Sequence, residues 1–321
     1  MLYLLFTIIG FFPLIWGAHI LVDSASALAK RLDIPNIVIG LTIVAFGTSS
    51  PELVVNLFAA INNDTDIVMG NIIGSNIFNI LGILGISAIV YPLSVKSNTT
   101  WIEIPLALLS ALLVIVTSND ILFDNAVWSG ISRVDGMVFL LFFLVFLGYN
   151  IKLAKAGNDD EDMRIKDYTI RKSIIGILIG LVLLVIGGRV IVVYSVEFAR
   201  LLNISERIIA LTIISIGTSL PELATSITAA MKRNVDIAIG NVVGSNIFNI
   251  FLILGLSAVI SPVRVLPISN TDMIVNIVSS LMLFIFVFTG KENKLERWEG
   301  SIFLFLYCFY LIYLLIGNTV I

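Results

Sequence analysis

Two short stretches hold the residues best suited to chemistry, Gly47-Thr48-Ser49-Ser50-Pro51-Glu52 and Gly217-Thr218-Ser219-Leu220-Pro221-Glu222. Each lies in an apolar run that reads as a transmembrane helix, and each places a carboxylate near mid-membrane depth, one residue after a proline. A charge at that depth costs roughly 3 kcal/mol or more and marks function by default. Proline has no N–H and displaces the carbonyl four residues back. Irregular backbone survives there only if it is buried in protein or lines a cavity. Freed carbonyls, hydroxyls and a carboxylate together make a hard oxygen site, which suits a cation.

The spacing extends the pattern. Thr48, Glu52 and Asn56 recur every four residues and share one helix face, as do Asn71, Ser75 and Asn79 in the next run. The later copies are Thr218, Glu222 and Ser226, then Asn241, Ser245 and Asn249. Four polar stripes on apolar helices must face one another or a watery cavity. Asn76 and Asn246 lie off the stripe and read as helix–helix glue; glue has no need of two carboxylates. Gly70-x-x-x-Gly74 and Gly240-x-x-x-Gly244 allow close helix approach beside the stripes. His19 is the one histidine and reads as a packed or interfacial residue, with Arg189 at its equivalent position. Asp23, Glu103, Asp135, Glu197 and Asp272 fall at helix ends, where charge is inexpensive, and are expected to be interfacial.

The elements that must position these residues are membrane helices. Of 321 residues, 58% are hydrophobic and only 13% charged, with a mean hydropathy of +1.05. That excludes a soluble domain and predicts an all-α polytopic membrane protein. The single cysteine, Cys308, excludes an internal disulfide and any multi-cysteine metal site. Ten apolar segments are expected near 3–24, 36–60, 66–91, 102–118, 134–153, 173–198, 206–230, 236–260, 272–289 and 299–317. The first reads as a retained helix rather than a signal peptide, because no basic stretch precedes it and no cleavage site follows. Between the fifth and sixth lies a charged linker, 154–172, too short for a folded sensor domain.

Sliding the sequence by 170 residues aligns Thr48 with Thr218, Glu52 with Glu222, Asn79 with Asn249 and Pro92 with Pro262. About half the positions between 38 and 95 are identical to 208–265, without a gap. The expected organisation is a first five-helix repeat (1–153), a cytoplasmic linker (154–172) and a second five-helix repeat (173–321). Five helices per copy is an odd number, so the second copy would be inverted. Such repeats build transporters with the site at the midplane between them. With the N-terminus outside, the inner loops hold fourteen of the nineteen Lys and Arg residues, and the outer side holds Arg133, Arg189, Arg200, Arg207 and Arg264. That positive-inside bias places both termini outside a cell membrane.

At these motifs the sequence resembles the cation/calcium exchanger superfamily, in particular its sodium/calcium exchanger branch and the small prokaryotic members. The residues that carry the resemblance are GTSSPELVVN with GNIIGSNIFNI, and GTSLPELATS with GNVVGSNIFNI. The resemblance spans nearly the whole chain and implies a membrane antiporter that moves Ca2+ against Na+. It further implies that Glu52 and Glu222 are the main Ca2+ ligands, helped by the backbone carbonyls of Thr48 and Thr218. Ser49, Ser75, Ser219 and Ser245, with the carbonyls of Ala45 and Ser215, would complete flanking Na+ sites. Asn79 matches the family's asparagine. Asn249 departs from it, since most sodium/calcium exchangers carry aspartate there. The site then has two carboxylates, enough to neutralise one Ca2+, whereas three Na+ would leave one charge uncompensated.

Other readings fit less well. A channel usually builds its filter from rings of equivalent subunits or repeats. An intramembrane hydrolase needs a nucleophile–base pair or a metal-bound water, and neither motif accompanies the repeats. A Ca2+/H+ antiporter using the same two glutamates is the alternative. The expected partners are Ca2+, Na+ and the lipid bilayer, with no resident cofactor, nucleic acid or obligatory protein partner. The topology is testable in a Cys308→Ala background. Cysteines introduced at Asn158 and Asn318 are expected to label from opposite faces of the membrane, and labelling of both from one face contradicts the inverted repeat.

Overall fold

The computed structural model describes residues 2–121, 128–155, 166–202, 215–266, 269–289 and 293–317. Helix α1 spans Leu2–Leu32, α2 Asn36–Thr48, α3 Ser50–Ile61, α4 Thr65–Val90, α5 Thr99–Thr117 and α6 Arg133–Ala154. After the linker come α7 Ile170–Leu201, a short α8 Ser215–Thr218, α9 Leu220–Met231, α10 Val235–Ile260, α11 Ser269–Thr289 and α12 Arg297–Gly317. Among the described residues eight helices are long and apolar enough to cross a membrane, and α2 with α3, bent by 49° at their break, passes the same test only as a pair. The expected segment 206–230 is described only from residue 215 onward, where α8 and α9 lie. Most of the charged linker, 156–165, lies outside the described residues.

Burial divides the helices into two classes. The apolar windows of α4 and α10 are 83% and 78% buried, whereas no other spanning helix exceeds 44%. These two central helices belong to the signature copies, and the rest surround them. The outer helices show Phe12, Val145 and Phe305 at 69–71% exposure, as a lipid-facing belt requires. The bend between α2 and α3 follows from Pro51, which cannot donate to the carbonyl of Gly47. Ser50 Oγ donates to that carbonyl instead. In the second copy Leu220 replaces Ser50 and brings no hydroxyl. Both central helices also contain a run of wide π-type turns, Phe78–Leu84 and Phe248–Leu254. Such turns are rare and frequent at functional sites.

Close approach fixes two of the helix contacts. A Cβ on Gly17 of α1 would stand 2.8 Å from the Gly180 carbonyl of α7, so these long helices touch backbone to backbone. A Cβ on Gly244 would stand 2.8 Å from that of Ala45, which sets α10 directly against α2. The expected small-residue contact is therefore present in the second copy. Gly40 and Leu41, which receive α10, have their counterparts at 210 and 211, outside the described residues. Two antiparallel strand pairs brace the ends: β1 (Leu93–Ser94) with β4 (Lys294–Leu295), and β2 (Gly130–Ile131) with β3 (Val263–Arg264).

One end of α1 is pinned by charge. Asp23 receives Lys232 Nζ at 2.6 Å and Lys166 Nζ at 2.8 Å, while Lys232 also donates to the His19 carbonyl at 3.0 Å. Asn234 Nδ2 donates to Ser26 Oγ at 2.8 Å beside them. Burial lowers the Lys232 ammonium pKa, and Asp23 opposes that shift. At the equivalent place on α7 stand Val193, Val196 and Arg189, facing a copy that carries Asn62 in place of Lys232. The pin is thus built into one side only. Asp23→Asn is expected to lower stability by roughly 1–2 kcal/mol, because Lys232 loses its counter-ion while half-buried. Val193→Asn is expected to change little. A thermal melt of detergent-solubilised protein reads both, and an unchanged melt for Asp23→Asn would contradict the pin.

Candidate ion-binding site

The signature residues converge where α2, α3, α4 and α10 meet α8 and α9. Helix α3 begins at Ser50, so Glu52 lies in its first turn, and Glu222 occupies the same place in α9. Partial positive charge at a helix start favours an anion there. Both glutamates are about 1% exposed. Glu52, Glu222, Ser49, Ser219, Ser75, Ser245, Asn79 and Asn249 are all buried, as is Thr48, while Thr218 is half-buried.

Hydrogen bonds cross between the copies in matched pairs. Ser49 Oγ donates to Glu222 Oε1 at 2.8 Å, and Ser219 Oγ donates to Glu52 Oε1 at 3.0 Å. Ser49 Oγ also lies 2.9 Å from Ser245 Oγ, and Ser219 Oγ lies 3.1 Å from Ser75 Oγ. Thr48 Oγ1 meets Asn241 Oδ1 at 3.0 Å, and Thr218 Oγ1 meets Asn71 Oδ1 at 3.2 Å. Every one of these bonds has its counterpart 170 residues along. Behind them, Asn56 Nδ2 donates to the Glu52 carbonyl at 2.8 Å, and Asn241 Nδ2 donates to the Glu222 carbonyl at 3.3 Å.

A second reciprocal set fixes the asparagines. Asn79 Nδ2 donates to Asn246 Oδ1 and Asn249 Nδ2 donates to Asn76 Oδ1, both at 2.9 Å. Asn76 and Asn246 also donate to each other's carbonyls at 3.3 Å. These two residues join the helices, and in doing so they orient their neighbours. With its NH2 group engaged, each of Asn79 and Asn249 keeps its Oδ1 free.

The free oxygens define what the site can do. Glu52 Oε2, Glu222 Oε2, Asn79 Oδ1 and Asn249 Oδ1 are buried and accept no hydrogen bond. Buried oxygens without partners are costly, and ionised carboxylates most of all. The two carboxylates also feel one another's charge. A bound cation is one way to satisfy such oxygens. Among the described residues no group of three or more His, Cys, Asp or Glu could hold a metal. Two carboxylates with amide and hydroxyl oxygens suit Na+ or Ca2+ rather than a transition metal.

The Ala45 carbonyl already accepts the Ser49 N–H at 3.0 Å and lies 3.3 Å from the Thr48 hydroxyl. Ser215 opens α8, one turn before Ser219. Thr48 and Thr218 were expected to act through their carbonyls, and the structure adds a crossing bond from each hydroxyl. Glu103 is a correction. It is fully buried rather than interfacial, accepts a hydrogen bond from the Tyr149 hydroxyl, and leaves Oε2 unpaired. The wide turn Thr99–Glu103 draws it inward, and its partner lies 46 residues away, where no local pattern signals it.

Comparison with known proteins identifies the family. A family model described as sodium/calcium exchanger protein matches residues 2–152 and 172–316. The sodium/calcium exchanger MaX1 of Methanosarcina acetivorans is 33% identical over 350 residues, covering 97% of each chain. The inner membrane protein YrbG of Escherichia coli is 38% identical over 271 residues, covering 82% of this chain and 81% of that one. Among solved structures, the sodium-calcium exchanger NCX_Mj soaked with 2.5 mM Na+ and 0.1 mM Ca2+ superposes with a TM-score of 0.82 at 31% identity, over 97% of this chain and 98% of that one. With the signature in both copies and the family match running almost end to end, the chain belongs to the sodium/calcium exchanger family of membrane cation/Ca2+ antiporters.

Proposed function

We propose that this antiporter exchanges Ca2+ for Na+ by alternating access, with one shared site between two inverted five-helix repeats and ten spanning helices in all. Both termini would lie outside and the linker 154–172 inside. The observation that carries the reading is the reciprocal cradle: each glutamate is held by a hydroxyl of the other copy, with one oxygen free toward a cation. Ca2+ would bind between Glu52 and Glu222, with Asn79 and Asn249 adding neutral oxygens. Na+ would take the same carboxylates together with Ser49, Ser75, Ser219, Ser245, Thr48 and Thr218 and the carbonyls of Ala45 and Ser215.

Charge balance sets the coupling. Two carboxylates neutralise one Ca2+ or two Na+, and a third Na+ would add an uncompensated charge in a low-dielectric site. The two ions therefore exclude each other, which is the requirement for exchange. Helices α1 and α7 carry no signature motif and touch each other along glycine contacts, so they are the candidate gating pair, with α1 held at Asp23 by Lys232. The Ca2+/H+ alternative uses the same glutamates, with protons in place of Na+.

The test is Ca2+ uptake into proteoliposomes at clamped voltage, under an outward Na+ gradient and separately under an outward proton gradient. Na+ is expected to drive uptake, and uptake driven by protons alone overturns the reading in favour of the alternative. Glu52→Gln or Glu222→Gln is expected to abolish uptake at matched expression, because each removes half the formal charge that offsets Ca2+ desolvation. Near-normal uptake in either variant would remove that residue from the site.

Asn249→Asp adds a carboxylate. It also sets an acceptor against Asn76 Oδ1, which now receives the Asn249 amide. The variant is expected to lose about 1–3 kcal/mol of stability while its Hill slope for Na+ rises. An unchanged slope would mean that residue 249 does not face the ions.

A further inference from the structure

A cavity of about 390 Å3 lies between α7 and the bend of the signature helices. Its α7 wall is Val185, Gly188, Arg189, Val192 and Val193, and its far wall includes Pro51 of α3 and Thr218 and Pro221 of the second copy. Pro51 adjoins Glu52, and Thr218 makes the crossing bond to Asn71. The cavity therefore abuts the glutamate site. At the matching place beside α1, Lys232 instead binds the His19 carbonyl and Asp23. Among the described residues this cavity is the candidate approach to the site from the α7 side.

Among the described residues Arg189 is the one ionisable residue on the wall of that approach. It is exposed, and among the described residues no carboxylate is paired with it. Apolar walls focus the field of a single charge into the space they enclose. A guanidinium beside the route of a cation opposes entry, so its presence asks for a purpose. The energy of an ion in a given potential is proportional to its charge. Whatever factor Arg189 imposes on the local concentration of Na+, it imposes the square of that factor on Ca2+.

We propose that Arg189 is a valence-discriminating residue that biases this approach toward Na+ over Ca2+. The inference rests on the reading that both ions use the Glu52–Glu222 site. It explains how a site whose two carboxylates strongly favour a divalent ion still admits monovalent ions from the side the cavity faces. The residue acts through its field and touches neither ion, so it is a specificity residue rather than a ligand.

The experiment compares half-saturating concentrations for Ca2+ and Na+ in reconstituted wild type, Arg189→Gln and Arg189→Lys. Removing the charge is expected to lower the half-saturating Na+ concentration about threefold and that of Ca2+ about tenfold, the second factor being close to the square of the first. Arg189→Lys keeps the charge and is expected to keep the wild-type values. Val193→Lys adds a charge one helical turn along the same wall and is expected to raise both values, with the same square relation. It remains informative if Arg189→Gln folds poorly. Equal shifts for the two ions, a Ca2+ shift smaller than the Na+ shift, or a Lys variant that behaves like Gln would overturn the proposal. If the wild type shows no saturable dependence on one of the ions, the exchange reading fails instead, so the two failures are distinguishable.

Discussion

Ser49 reaches Glu222 and Ser219 reaches Glu52, so each buried carboxylate is held by a hydroxyl from the other copy. Neither half of the chain completes its own cradle. The bend at Ser49, the close packing of α10 on α2 and the central burial of α4 and α10 all bring these groups together. A hydroxyl donating to one carboxylate oxygen fixes the group's orientation while leaving the other oxygen unpaired. That arrangement tolerates desolvation while a cation or a proton neutralises the charge.

The duplication is close to symmetrical in this interior and unequal at its ends. Thr48 and Thr218, Asn79 and Asn249, and the two runs of π-type turns correspond bond for bond. Asp23, with its two lysines, has Val193 as its counterpart, and Ser50, which caps the Gly47 carbonyl, has Leu220. His19 has Arg189. The interior is matched between the two copies, while the ends distinguish one side from the other. A two-sided transporter with identical ends would have no built-in bias between its states.

Much of this was legible from residue types and spacing. The doubled Gly-Thr-Ser-x-Pro-Glu, the four-residue stripes and the offset of 170 pointed to the same side chains that the structure brings together. The bend was readable because proline leaves a carbonyl unpaired wherever it enters a helix. What stayed hidden depended on partners distant in sequence or on altered periodicity. Asn76 and Asn246 read as helix–helix glue and do join the central helices, but that they also orient Asn249 and Asn79 depended on partners distant in sequence. Glu103 stands near a helix start, where charge is ordinarily exposed, and only the fold shows Tyr149 covering it. The count of ten spans followed from apolar run length. The seventh run is described only beyond residue 214, and there it is a short helix followed by α9.

If one pair of carboxylates serves both ions, occupancy by one must exclude the other. Equilibrium Ca2+ binding to purified protein, titrated at a series of Na+ concentrations, measures this directly. The account predicts that Na+ raises the apparent Ca2+ dissociation constant without a plateau and leaves the number of Ca2+ sites at one. A plateau at high Na+, which reports Ca2+ and Na+ held together, would contradict a single site shared between the two copies.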